Sequence, residues 1–301
     1  MTVAREAARP GRRRLAEAHP DPWRAVDAQP TAARLLESLE ARGRTPSQIR
    51  LRRRFLRFVP IRPGQRVLEV GCGSGVVMRD LATLVGPRGL VVGVDPSQAA
   101  LDVARGLARA HPLRRRMRWR RANGAALPLP SNRFDATLAI TVLLHVARPE
   151  IVVREMVRVT RPGGRVGVQD QDFGTLAVTH PDRALTERIM WGVASHMYDE
   201  PFSGRRLPGL LRSAGLDDVR LVTEAFQDTT LEPFTKNFLE RRAENAVRFG
   251  LVDPPAAQVW LDGFTELVAA GGFVLTFNYY GAVGTKPDAA RIKRSPPRAR
   301  R

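Results

Sequence analysis

The stretch VLEVGCGSG, Val67 to Gly75, constrains this chain's fold more than any other part of it. Three apolar residues around one carboxylate read as a buried strand, and glycines at 71, 73 and 75 then leave the backbone bare. A bare backbone can turn tightly and lets a ligand come close. The residues that follow, GVVMRDLATLVG (75–86), have helical spacing. A strand that feeds a glycine turn and then a helix aims the helix N-terminus at whatever lies beyond the strand's carboxyl end. That is the opening unit of a doubly wound α/β sheet.

The alternation continues. Strands are predicted at 66–70, 90–95, 117–121, 134–141 and 165–170, with helices at 97–110 and 149–160 and turns at RPGQ (62–65) and RPGG (161–164). Such alternation implies a parallel sheet covered by helices on both faces. Helices at 181–200, 205–215, 234–249 and 255–270 interrupt the pattern, and strand-like runs at 219–226 and 272–284 close it. In front lie two amphipathic helices, 31–44 and 47–59, broken at Pro46. The expected organisation is a basic disordered leader (1–28), one domain (29–285) and a basic disordered tail (286–301). Within the domain, 29–60 forms a helical lid, 61–180 a ligand-binding core, and 181–285 the cover helices and last strands.

Composition narrows the class. With 43% hydrophobic and 26% charged residues the chain is globular. No apolar run reaches the roughly 18 residues of a membrane span. The arginines near the N-terminus have no apolar segment behind them, so a secretory signal is not expected and a cytoplasmic location is the default. Cys72 stands alone and the five histidines lack ligand spacing, so no metal centre is expected. The net charge of +19 raises a nucleic-acid partner. Lysine occurs only at 236, 286 and 293, and residues 1–20 and 286–301 carry +3 and +6 of the total. An arginine-for-lysine skew with charged ends fits composition bias as well, and a polyanion partner is the less favoured reading.

The expected ligand is a nucleoside. A dinucleotide fingerprint, GxGxxG, needs glycine where this chain has Val76, which argues against a nicotinamide dehydrogenase. The second strand, VVGVDPS, ends in Asp95, 24 residues after Gly71, at the spacing of a ribose-binding acid. Asp95 could instead cap the following helix, although Ser97 suits that task.

At this point the sequence resembles the class I, S-adenosylmethionine-dependent methyltransferases, specifically the type-11-like small-molecule group. VLEVGCGSG is similar to their first motif and VVGVDPS to their acidic loop. NGAALPLPSNRFDATLAITVLLHV (123–146) and VRVTRPGGRVGVQD (157–170) resemble the two stretches after it. The resemblance covers about residues 46–226. It implies a Rossmann-like, mainly parallel seven-stranded sheet with a reversed last hairpin. It also implies that Gly71, Cys72 and Gly73 lie under the methionine part of S-adenosylmethionine, with Glu69 near its amino end and Asp95 on its ribose. Position 123, usually aspartate in the family, is Asn123, whose amide oxygen can still accept from the adenine amino group. Gly124 would donate to the ring from its backbone, and Thr141 would face the cofactor. Phe134 and Asp135 read as structural.

Methyl transfer needs no universal catalytic residue, because holding the reactants close and collinear supplies most of the rate. Where a base helps, Asp170 and Asp172 are candidates, in QDQDFG (169–174), which is expected to follow the fifth strand at the sheet's carboxyl edge, with His145 and His180 behind them. The DFG there is no kinase signature, since no HRD loop precedes it. The arginine-rich 50–58 reads as a solvated helix face or as the source of one arginine for the methionine carboxylate. In 114–121, Met117 and Trp119 alternate with arginines, as on a strand at a sheet edge, against a nucleic-acid reading. Trp191, Phe226, Phe234, Phe238, Trp260 and Phe264 are core or the wall of an enclosed apolar pocket. The expected acceptor is a small natural-product or quinone-like molecule, methylated on oxygen or carbon. The alternatives are an RNA methyltransferase and a non-catalytic S-adenosylmethionine-binding subunit. The sequence leaves the oligomeric state open.

Overall fold

The structure, a computed structural model, describes residues 20–288. Two helices lead in, α1 (Ala32–Arg44) and α2 (Pro46–Phe58). Thr45 separates them because a residue before proline is pushed out of helical geometry; it is extended, at φ −67° and ψ 128°. The strands β1 (Arg66–Val70), β2 (Leu90–Asp95), β3 (Met117–Arg121) and β4 (Phe134–Ile140) follow, linked through α3 (Val76–Val85) and α4 (Gln98–Ala108). Next come α5 (Pro149–Val159), β5 (Thr160–Val178), α6 (Arg183–Met197) and α7 (Ser203–Ser213). The chain closes with β6 (Asp217–Asp228), α8 (Pro233–Arg248), α9 (Pro254–Ala269) and β7 (Leu275–Thr285).

The sheet order is β3-β2-β1-β4-β5-β7-β6. β1 to β5 run parallel, and β7 enters antiparallel between β5 and β6. This is the doubly wound, mainly parallel sheet with a reversed last hairpin that was expected. Connections diverge on either side of β1 and β4, and ligands of such sheets bind at that switch point, beyond the strands' carboxyl ends. One face packs on α5 and α7 through Val153, Met156, Val159, Leu207 and Leu211. The other packs on α2 and α3 through Phe55, Met78, Leu81 and Val85. A third core, around Trp260, Phe264, Phe277 and Leu239, joins the inserted helices to β7.

Three boundaries differ from expectation. α2 is as much core as lid: Phe55 is fully buried, and a side chain at Gly281 would meet its ring at 2.5 Å. The leader was expected to be disordered through residue 28, yet Pro22–Ala28 forms a 3-10 turn that buries Val26 against Leu36 of α1 and Ala100 of α4. The remainder of the leader lies outside the described residues. The tail expectation starts at 286, but Lys286 belongs to the fold. Its ammonium donates to the carbonyls of Val157 and Thr160 at 2.8 Å each, where α5 ends, and burial lowers its pKa. The rest of the tail, beyond residue 288, is likewise outside the described residues. On β3, Met117 is buried while Arg118, Arg120 and Arg121 are exposed, and the strand forms the sheet edge. Edge charge of this kind discourages pairing with another chain.

Candidate functional site

A cavity of about 670 Å³ opens beyond the carboxyl ends of β1, β2 and β4 and extends under α1 and α8. Its floor is the glycine loop. Gly71, Gly73 and Gly75 take φ values of 72°, 48° and 78°, a left-handed conformation that other residues adopt at a cost. Space is also short: a side chain at Gly71 would meet Val142 at 2.5 Å. The amides of Gly71 and Cys72 both donate to Val94 O, at 2.8 and 3.0 Å, which locks the loop to β2.

Asp95 sits at the tip of β2, as predicted. Its Oδ2 accepts from Gly73 N at 2.8 Å and its Oδ1 from Ser97 N at 2.9 Å. Each oxygen keeps a lone pair for a ligand hydroxyl. Burial raises the Asp95 pKa, and the two backbone bonds oppose that rise. Ser97 is the helix cap, accepting from Ala100 N at 3.0 Å, so Asp95 is left for the loop and the cavity. The former leader supplies a second cap. Asp27 accepts from Ser97 Oγ at 2.5 Å and from Gln98 N at 2.9 Å, and these bonds, led by the one from Ser97, lower its pKa.

Glu69 lies on the cavity wall, buried, and its Oε2 has no partner among the described residues. Burial pushes its pKa well up, and the nearby Asp95 charge adds to the rise. Ser74 Oγ, on the same cavity wall, is also buried and without a partner among the described residues. An orphaned carboxylate oxygen at this depth calls for a cation or a donor from a ligand. Cys72 lines the same wall, its thiol kept neutral by burial. Asn123, Gly124 and Thr141 line the cavity at the ends of β3 and β4. Asn123 Oδ1 already accepts from Ala125 N at 2.9 Å, so only its second lone pair is free for an adenine. Thr141 has φ 54° and donates its amide to Gln169 O at 2.7 Å.

The acceptor-side expectation needs correction. QDQDFG does not follow β5 but lies inside it: β5 stays paired with β7 from Arg165↔Thr285 to Asp172↔Asn278. Alternate residues of a strand face opposite ways. Gln169, Gln171 and Phe173 therefore line the cavity, whereas Asp170 and Asp172 do not. Asp172 is fully buried and holds Arg205 through Nε at 2.5 Å and Nη2 at 2.8 Å. Asp170 Oδ2 accepts from Leu144 N at 3.1 Å and Ser203 Oγ at 2.9 Å, and burial raises its pKa to about 7. Both lie behind the wall.

His145 does reach the cavity. Its Nδ1 is 2.7 Å from Oδ2 of the buried Asp21, and its ring meets Tyr198 edge-on at 5.7 Å. A carboxylate on Nδ1 fixes the tautomer and leaves Nε2 to act as base. His180 does not reach it; its ring accepts from Asp182 N and donates to Trp260 O at 3.1 Å within the third core. Of the aromatic candidates, Phe234 and Phe238 line the cavity, while Phe226, Trp260 and Phe264 are core and Trp191 is on the surface.

Several wall residues escaped the sequence reading: Trp23, Arg42, Gln48, Tyr198 and Arg241, besides Gln169, Gln171 and Phe173. Some left a signal. Arg42 continues the apolar stripe Leu35–Leu39 of α1, and Arg241 continues Phe234–Phe238 of α8. A basic residue on the buried face of a helix marks a polar site. In 50–58, only Arg52 among the arginines lines the cavity, and it is bound to Asp80 at 2.6 Å.

Comparison with known proteins points to one kind of domain. Residues 68–168 match a family model described as a methyltransferase domain. An uncharacterized 37.1 kDa protein in transposon TN4556 of Streptomyces fradiae is 32% identical over 224 residues, 74% of this chain and 63% of that protein. A 2-phytyl-1,4-naphtoquinone methyltransferase of Synechococcus elongatus is 37% identical over 119 residues, covering 40% and 51%. The chain thus spans between half and two thirds of the length of these relatives. A solved geranyl diphosphate methyltransferase, in complex with GPP and sinefungin, shares the fold with a TM-score of 0.51 at 18% identity, over 79% and 77% of the two chains.

Proposed function

We propose that this chain, whose residues 68–168 match a methyltransferase-domain model, is a class I methyltransferase of the type-11 kind that methylates a small aromatic acceptor of the quinol class, using S-adenosylmethionine. The observation that carries the reading is one continuous cavity with two unlike ends. One end is the glycine loop with the orphaned Glu69; the other is walled by aromatic rings. The relative named for a phytylated naphthoquinone supports the same acceptor class.

The residues at the first end fit the cofactor. Glu69 Oε2 would pair with its ammonium, Asp95 would accept from its ribose hydroxyls, and Asn123 and Gly124 would flank its adenine. Gly71, Cys72, Gly73 and Thr141 would bound the methionine part. When bound, S-adenosylmethionine supplies an electrophilic methyl group. Everything else is the chain's own work. Phe173 stacks on Tyr198 at 5.3 Å and lies 6.3 Å from Phe238, and these rings exclude water and hold a flat acceptor. His145, oriented by Asp21, takes the proton from an acceptor hydroxyl, which favours attack by oxygen or by the adjacent ring carbon.

The exposed arginines of β3 are not on the cavity wall, which separates this reading from RNA methylation. The test is to incubate the protein with methyl-labelled S-adenosylmethionine and reduced 1,4-naphthoquinones, and in parallel with total RNA. Label in the organic phase supports the proposal. Label in the RNA alone overturns it.

A further inference from the structure

The acceptor end of the cavity is built from donors. Arg42 lines it and gives Nε to Gln48 Oε1 at 3.2 Å and Nη2 to the Tyr279 hydroxyl at 3.0 Å. Arg241 lines it from α8; among the described residues its guanidinium donates to Ser38 Oγ, at 3.4 Å and one turn before Arg42 on α1, and lies 6.0 Å from the centre of the Trp23 ring. Arg242 lies behind, fully buried, its guanidinium 4.5 Å from the centre of the Phe173 ring and 4.9 Å from that of Phe238. Among the described residues, none of these three guanidinium groups is in ion-pair contact with a carboxylate. Burial lowers the pKa of Arg241; Tyr198, Glu244 and Asp21 oppose that fall, while the like charge of Arg42 adds to it. Among the described residues, two amide nitrogens on the same wall, Gln48 Nε2 and Gln169 Nε2, are buried without an acceptor.

Guanidinium groups drawn at least partly from water with no carboxylate in contact, and buried donors without acceptors, are costly. Such a cluster persists where a ligand completes it, and an excess of donors specifies an anion. α1 packs on the glycine loop, where a side chain at Gly73 would meet Leu39 at 3.1 Å and one at Gly43 would meet Val76 at 2.8 Å, so the donor substrate's own carboxylate is the competing occupant that the test must separate.

We infer that the methyl acceptor carries a carboxylate or phosphate group, received by Arg42 and Arg241 with Gln48 as a further donor, while its ring lies among Phe173, Tyr198 and Phe238. This rests on the methyltransferase reading and narrows its substrate class from neutral quinols to acid-bearing aromatics. The planar forks of the two arginines suit either oxyanion.

The test uses the full chain in calorimetry, first with S-adenosylhomocysteine and then, on the saturated protein, with 1-naphthol, 1-hydroxy-2-naphthoate and 1-naphthyl phosphate. The expected result is at least roughly tenfold tighter binding of one acidic probe than of 1-naphthol, as a charge-assisted bond provides. Which acid binds tighter identifies the group. R241Q and R42Q should each bring the acid down toward the naphthol affinity and leave S-adenosylhomocysteine affinity unchanged, and R241K should restore part of the preference. Equal binding of naphthol and both acids by the unsubstituted protein, or no binding of either acid, overturns the inference without need of a variant. Loss of S-adenosylhomocysteine affinity in R42Q and R241Q, with the acid preference intact, overturns it too, by assigning the arginines to the donor. Failure of the unsubstituted protein to bind S-adenosylhomocysteine at all strikes the methyltransferase reading instead.

Discussion

Replacing Asp170 by asparagine should make the protein more stable at neutral pH, in a manner set by pH. The Asp170 side chain is fully buried; one oxygen accepts from Leu144 N and Ser203 Oγ, and Oδ1 has no partner. Burial raises its pKa from 3.8 to about 7, against the pull of Ser203 and His145. In the unfolded chain the carboxyl ionises near 3.8, while the folded chain keeps the proton until about 7. Folding stability due to this group is therefore complete below the lower value and falls as pH rises through the window. At 1.36 kcal/mol for each pH unit, the loss amounts to roughly 4 kcal/mol by pH 7. The amide in Asp170→Asn can offer its oxygen to the same two donors and never ionises. Urea unfolding of both proteins between pH 4.5 and 8.5 should show the variant gaining on the original by about 3–4 kcal/mol across the window and no further above it. A difference that stays flat with pH, or one that favours the original increasingly as pH rises, refutes the assignment of a buried, proton-retaining carboxyl.

Three more expectations follow from the same geometry. Asp95→Ala should weaken S-adenosylhomocysteine binding by about 1.5–3 kcal/mol, the value of hydrogen bonds to a charged group, and calorimetry giving unchanged affinity would remove Asp95 from the ribose. Because burial keeps Glu69 protonated above its ordinary range and a ligand ammonium favours its ionised form, binding should tighten as pH rises towards the raised pKa and should release up to one proton. Calorimetry in buffers of different ionisation enthalpy detects that proton, and Glu69→Gln should abolish its release. Asp27→Ala removes the second cap of α4 and should cost about 1 kcal/mol in urea unfolding; no cost would mean that the 22–28 turn is not fastened there.

The fold was legible because each local signal agreed with the global one. Strand β3 has the predicted bounds, 117–121, since Met117 and Trp119 alternate with arginines as an edge strand requires. The glycine loop and Asp95 were legible because their chemistry is local, a turn and a strand tip 24 residues apart. What failed was orientation. QDQDFG read as a loop would send both aspartates toward the acceptor; as part of β5 it sends the glutamines there and sets the aspartates behind the wall. The partner strand β7 lies a hundred residues on, so the pairing that extends β5 cannot be seen locally. The 20–28 segment failed for a similar reason. Asp21 and Asp27 order it by binding His145 and the start of α4, contacts distant in sequence that composition does not encode.

The most direct measurement is transfer of labelled methyl from S-adenosylmethionine into a fractionated extract of cells that make this protein. The account predicts label in an organic-soluble molecule that an anion-exchange resin retains, with less transfer at limiting S-adenosylmethionine when Asp95 is alanine. Label in a ribonuclease-sensitive polymer, or no transfer to any fraction from a protein that binds S-adenosylhomocysteine, would contradict it.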